Sequence, residues 1–288
     1  MKRCAYCGKE YSEEMTLCAI DGNPLENLGG SEEGKANAAV AGSVAGSQNE
    51  VVLVYPEYKW SARDGWKFFG MVVVFNVLWY FVFGALYRIF PHFWDWRWSP
   101  VGVVIMRGIY IAAHIFLAAY FARAESFALF WKAVGLDRKP TNYAWFGVTA
   151  ALGIRLIGHI IYTLGWARSY YASNEQALFH RTHGVQHYLY LLPMLAAGFW
   201  EEPVNRGFLY KAFRGSYSMG LSIGAIIVFT AYTHWNQYEH FGWAVISISG
   251  VMAIQCYLRE KSDSLWDCIL CHLVFNASGL LIGGTLRW

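Results

Sequence analysis

Three ionisable residues stand inside one apolar run, Gly198-Phe-Trp-Glu201-Glu202-Pro203-Val204-Asn205-Arg206-Gly207. At a bilayer centre each such group costs roughly 2.5–3.5 kcal/mol, ~8–10 kcal/mol for three left unpaired, so an intramembrane cluster is a functional site by default. Spacing sorts the three. Glu202 and Arg206 are four apart, the order in which a carboxylate N-terminal to a cation pairs well. Glu201 lies about 100° around the helix from Glu202 and cannot share that partner equally, which makes it the freer carboxylate. Pro203 has no N–H, so the carbonyl of Phe199 loses its intrahelical donor and a bend is expected beside the glutamates. A second apolar run ends in Thr230-Ala-Tyr-Thr-His234, and a third carries His272 and Asn276, four apart and therefore on one side of a helix. A carboxylate, two imidazoles and a carboxamide are the inventory for adding water to a carbonyl: a base for the proton, and donors for the developing oxyanion. Two His and a Glu are also a possible zinc set, a metalloprotease-like arrangement, so a catalytic metal is left open. The plainer readings are a structural ion-pair cluster for Glu201, Glu202 and Arg206, and interhelical hydrogen bonding for the histidines.

The elements that must position these residues are membrane helices. Of 288 residues 56% are hydrophobic and only 15% charged, too apolar for one soluble core. Seven apolar stretches are long enough to span: 66–90, 101–122, 143–165, 187–211, 218–236, 241–258 and 264–285. Backbone groups in lipid must be satisfied within the segment, so the fold class is an all-α polytopic bundle of about seven transmembrane helices. Lys and Arg gather on one side of it: Lys59, Arg63 and Lys67; Arg123, Lys132, Arg138 and Lys139; Lys211, Arg214, Arg259 and Lys261. The positive-inside rule puts the N-terminus in the cytoplasm and the C-terminus outside. The net charge of +3 carries no basic tract, so no nucleic-acid partner is expected. The first residues lack an apolar signal core, and no inverted repeat of the transporter kind is visible. A straight fifth helix from Ser218 would carry His234 ~24 Å deep, against ~12–15 Å for Glu201 and His272, so that helix is expected to tilt or begin deeper.

Residues 1–28 read C-A-Y-C-G-K…L-C-A-I-D-G-N-P-L, two knuckles each followed by glycine, as in a zinc ribbon. Cys4, Cys7, Cys18 and Asp21 are the expected structural zinc ligands, with carboxylate oxygen in the last place. A reducing cytoplasm suits zinc-bound thiolates. Such a module is a docking element for a protein partner, tethered by a flexible linker over 29–58 to a transmembrane domain over 59–288. Elsewhere, Arg155 and His159 share a face of the third span and must meet protein or water. Cys268-x-x-Cys271 reads as packing by inert thiols. His180, His183 and His187 read as a solvated loop, and the aromatic run 93–98 as an interfacial anchor.

Glu201-Glu202-x-x-x-Arg206, then a span ending in His234, then His272-x-x-x-Asn276, in that order on successive apolar segments, resembles the CAAX-protease and bacteriocin-processing (CPBP) family, also called glutamic-type intramembrane endopeptidases. The resemblance covers roughly residues 128–284, with Trp131-x-x-x-Gly135-Leu136 as its lead-in. It implies that Glu201 and His234 bind and activate the attacking water. His272 and Asn276 would stabilise the oxyanion, and Glu202 and Arg206 would support the site without an obligatory metal. The family pattern has Phe four residues before the second-motif His, where this chain has Thr230 and places Phe229 one position earlier. The implied activity is hydrolysis of a peptide bond in a membrane-associated protein or peptide at the lipid bilayer. The alternative is a non-proteolytic scaffold or immunity-type protein of the same fold that recruits partners through its ribbon.

Overall fold

A computed structural model describes residues 1–4, 10–16, 25–27, 60–90, 92, 99–164, 185–234 and 242–285. In the head, β1 (Lys2–Cys4) pairs antiparallel with β2 (Glu10–Tyr11) on one side and β3 (Leu25–Asn27) on the other. Cys4 stands opposite Leu25 in that register. The other expected zinc ligands, Cys7, Cys18 and Asp21, lie outside the described residues, as do the linker over 29–58, the aromatic run 93–98, His180 and His183.

From Ala62 onward the described chain is helix joined by short turns. α1 (Ala62–Ile89), α2 (Pro100–Phe121), the short α3 (Phe127–Ala133) and α4 (Tyr143–Thr163) come first. α5 (Val185–Glu202) passes directly into a π-helical segment, Pro203–Leu209, and then α6 (Tyr210–Arg214). α7 (Met219–Thr233), α8 (Gly242–Ser262) and α9 (Leu265–Thr285) complete the order. Each of the seven expected apolar stretches therefore carries helix. Three are long and apolar enough to cross a membrane, Ala62–Ile89, Val101–Phe121 and Tyr143–Ile161, and Met219–Thr233 is a shorter apolar helix. Exposed Tyr80, Phe81 and Val82 on α1 are the surface of a helix that faces lipid.

The π segment follows from Pro203, which cannot donate to Phe199, so the next turn widens; the Tyr210 N–H then reaches the Asn205 carbonyl, five residues back. All seven residues of this segment are buried. α9 packs against α4, α5 and α8, while α2 packs against α5 and α1. Phe68 of α1 meets Phe208 of the π segment edge-on, with ring centres 5.6 Å apart, so the first helix is tied to the core beside the glutamates.

Four of the basic residues, Arg138, Lys211, Arg214 and Arg259, meet around the α8–α9 turn. Asp263 gathers Lys211 at 3.0 Å and Arg259 at 3.3 Å and is also paired with Arg138. Glu260 takes Arg214 at 2.7 Å and the Tyr210 hydroxyl at 3.0 Å. The lead-in motif gains a physical reason here. Gly135 has φ +89°, and a Cβ on it would sit 2.7 Å from the Arg259 guanidinium, so the tight turn after α3 needs glycine. Its carbonyl accepts from Leu265 N–H at 3.2 Å, and the carbonyl of Leu136 accepts from the Trp266 indole at 2.9 Å. Asp267, fully buried, receives the Thr141 N–H at 2.9 Å and its hydroxyl at 2.6 Å. These bonds fix where α9 begins, and hence the height of His272.

Candidate active site

Glu202 is fully buried and accepts three bonds on one oxygen. Its Oε1 takes His272 Nδ1 at 2.6 Å, Gln255 Nε2 at 3.0 Å and Arg206 Nη1 at 3.2 Å. The Arg206 pair is the four-residue spacing realised inside one buried turn. Gln255 also donates to the Cys268 carbonyl at 3.3 Å, and the Cys268 thiol donates back to the Gln255 carbonyl at 3.2 Å. Arg206 contacts the Met252 sulfur, which also receives the Thr230 hydroxyl at 3.4 Å. α5, the π segment, α7, α8 and α9 are thus cross-linked in one polar layer. A hydroxyl suits position 230 because a sulfur faces it, while Phe229 turns to pack on Phe68 and Phe69.

Glu201 differs from its neighbour. It is 9% exposed and makes no hydrogen bond or ion pair among the described residues. Trp200, the residue before it, packs against Tyr110 and His114 of α2 with ring centres 6.2 and 6.1 Å apart. His272 is close by geometry as well, since a Cβ on Gly198, one turn before Glu201 and Glu202, would lie 3.4 Å from the His272 Cβ.

His234 caps α7. Its Nδ1 lies 3.0 Å from the Thr230 carbonyl and 3.0 Å from the Thr233 hydroxyl, and no hydrogen bond joins it to Glu201 or His272. Register relates it to them. Arg206 and Thr230 both touch Met252; Glu201 lies five residues before the first and His234 four residues after the second on helices running in opposite senses. At 1.5 Å of rise per residue those offsets are about 7.5 Å and about 6 Å of helix. Asn276 is half-buried, one turn beyond His272 in the same direction.

The three imidazoles share a tautomer. A carbonyl or carboxylate oxygen can only accept, so Nδ1 carries the proton in His234 and in His272, and equally in His114, whose Nδ1 lies 2.8 Å from the Tyr110 carbonyl. Each presents Nε2 on its far side. Among the described residues no group of three or more His, Cys, Asp or Glu side chains is gathered as metal ligands.

Residues 183–278 match the family model of the type II CAAX prenyl endopeptidase, Rce1-like. No curated protein and no solved structure matches the chain. The matched stretch carries Glu201, Glu202, Arg206, His234, His272 and Asn276, and it is shorter than the 128–284 of the sequence resemblance. The Rce1-like match is to a model of a protease family, and the apolar helices support an integral membrane protein. α1, α2, α3 and α4 lie outside the Rce1-like stretch, and with them Tyr110 and His114.

Those two residues, with Met252 and Gln255, are what the sequence reading missed. His114 carried a usable signal: a histidine inside an apolar span is a functional candidate by default. Gln255 carried less, because an amide near the end of a helix that terminates in Arg-Glu-Lys looks like its wet flank. Arg155 of α4 meets protein, donating from Nε to the Phe275 carbonyl at 2.8 Å and lying 3.6 Å over the Phe275 ring.

Proposed function

We propose that this protein is an intramembrane endopeptidase in which Glu201 activates a water against a peptide carbonyl of a membrane-anchored tail. The observation that carries the reading is the contrast within one dipeptide. Glu202 is committed to Arg206, Gln255 and His272, while Glu201 is buried beside them with no bonding partner among the described residues, inside the stretch that matches the CAAX endopeptidase model. A carboxylate held for structure would be paired; one held to take a proton is left open.

In the proposed reaction water attacks the scissile carbonyl as Glu201 takes its proton, with His234 Nε2 as a further acceptor for that water. The tetrahedral oxyanion receives bonds from the Asn276 amide and from His272 Nε2. His272 can donate there only as an imidazolium, since its Nδ1 proton already points at Glu202; the Glu202 carboxylate supplies the counter-charge that such a cation needs. Collapse breaks the C–N bond, and Glu201 returns the proton to the leaving amine. Two His and Glu201 would be the ligands if a catalytic zinc bound, yet the Nδ1 atoms of both His are already engaged, leaving only Nε2 of each. The seven-span topology, with the N-terminus and basic end in the cytoplasm, and the zinc ribbon with its protein partner are part of the same proposal.

The decisive experiment offers lipid-embedded protein a panel of farnesylated and unmodified tail peptides, comparing wild type with Glu201→Gln and His272→Ala. Cleavage by wild type and its loss in both variants is the expected result. Cleavage surviving both substitutions removes the site, and cellular function persisting in the doubly substituted chain leaves the scaffold reading in its place. Zinc content of Cys4→Ser against wild type tests the head separately: loss of one bound zinc is expected, and equal content rejects the ligand set.

A further inference from the structure

His114 lies on α2, outside the stretch that matches the endopeptidase model, and nothing in the reaction above uses it. It is 2% exposed, and its Nε2 is a buried atom with no hydrogen-bond partner among the described residues. An imidazole nitrogen buried without a partner is costly, and the cost is greater among apolar helices. Its orientation is determined. Nδ1 donates back to the Tyr110 carbonyl at 2.8 Å, the Tyr110 ring lies over it with centres 4.1 Å apart, and Phe75 and Trp200 close two further sides at 5.7 and 6.1 Å. Trp200 immediately precedes Glu201, whose charge acts on His114. The Trp200 indole nitrogen is likewise buried without a partner among the described residues.

With Nδ1 protonated, Nε2 of the neutral ring is a lone pair. The carboxylate of Glu201 also only accepts, and two acceptors do not bond one another. A water between them donates one hydrogen to each, and its own lone pairs are then left to face a third group. On the peptidase reading of Glu201, we propose that His114 of α2 is a further catalytic residue, the acceptor of the attacking water's second hydrogen, while Glu201 and His234 Nε2 face the first, the one that is transferred. The step balances without any other reactant. The water oxygen bonds to the scissile carbon, one of its protons passes to Glu201 and later to the leaving amine, and the other stays hydrogen-bonded to Nε2 until the tetrahedral species collapses to the acid. The active site then extends beyond the family-matched stretch onto a helix closer to the N-terminus.

The full chain in lipid nanodiscs is tested with a farnesylated, quenched-fluorescent peptide ending in Cys-aliphatic-aliphatic-X. His114→Phe keeps a ring against Tyr110, Phe75 and Trp200 but removes both nitrogens. It is expected to lower kcat on the order of 10²-fold with KM little changed, as loss of a positioned acid–base group does. His114→Gln, which restores a side-chain acceptor, is expected to recover part of that loss. Retention of kcat within about threefold in His114→Phe, while Glu201→Gln is inactive, overturns the His114 role and leaves the peptidase reading standing. Activity retained in Glu201→Gln overturns the peptidase reading itself. Loss of activity in step with loss of thermal stability, with no recovery in His114→Gln, reduces His114 to packing and also overturns the proposal. A second measurement needs no turnover. In ¹⁵N-histidine-labelled protein, the Nε2 resonance that disappears in His114→Phe is expected to shift in Glu201→Gln, and an unmoved resonance overturns the proposal.

Discussion

Glu201 and Glu202 are adjacent in sequence and opposite in circumstance. Around Glu202, donors from the π segment, α8 and α9 converge on one oxygen, and the layer runs on through Met252, Thr230 and Cys268. Near Glu201, His114 Nε2 and the Trp200 indole nitrogen are buried with no partner among the described residues, as within the Glu202 layer are Glu202 Oε2, Arg206 Nε and Gln255 Oε1. A buried polar group normally has a partner. What separates the two glutamates is that Glu202 is bonded from helix to helix, whereas Glu201 has no such bond among the described residues.

The sharpest way to break this contrast is to neutralise each glutamate in turn. Glu201→Gln should lower kcat by about 10³–10⁴-fold, near the upper range for a general base, with the melting temperature unchanged in a detergent melt. Glu202→Gln should do the reverse in kind. It leaves the fully buried Arg206 cation uncompensated, and a loss of about 3–5 kcal/mol is expected in reversible unfolding. Replacing both partners, Glu202→Gln with Arg206→Met, should recover much of that stability while activity stays low, because His272 has still lost its carboxylate. At the basic end, Gly135→Ala should cost about 1–3 kcal/mol, since a Cβ there meets the Arg259 guanidinium in a left-handed turn. The smallest effect is expected at Cys271→Ala: a modest fall in stability and unchanged peptide cleavage, because this buried thiol belongs to the packing and not to the chemistry.

Much of this architecture could be read from the chain alone, for identifiable reasons. The seven apolar stretches are set by segment length, and Glu202 with Arg206 by the pitch of one helix, both local properties. Pro203 announced a disturbance beside the glutamates, but not that it would take the form of a π segment, since the same missing N–H also permits a kink. The His272–Glu202 bond joins residues 70 apart in sequence and depends on how Gly135, Leu136 and Thr141 set the start of α9, which no periodicity encodes. Gln255 and Met252 were invisible for the same reason, as their importance lies in what α7 and the π segment bring to them. The ligands expected in the head, apart from Cys4, lie outside the described residues.

Arg155 reaches from α4 to the backbone carbonyl of Phe275, lies flat on that ring, and fills the space that any side chain on Gly279 would need. The carbonyl it grips belongs to the residue just before Asn276. α4 and α9 are thereby pinned through a guanidinium at the height of the reacting groups, and they behave mechanically as one plate. Rolling α9 would first require that pin to be drawn, so on the proposed peptidase reading His272 and Asn276 would be the stationary side of the site, and clearance for an entering peptide would come from the helices facing that plate.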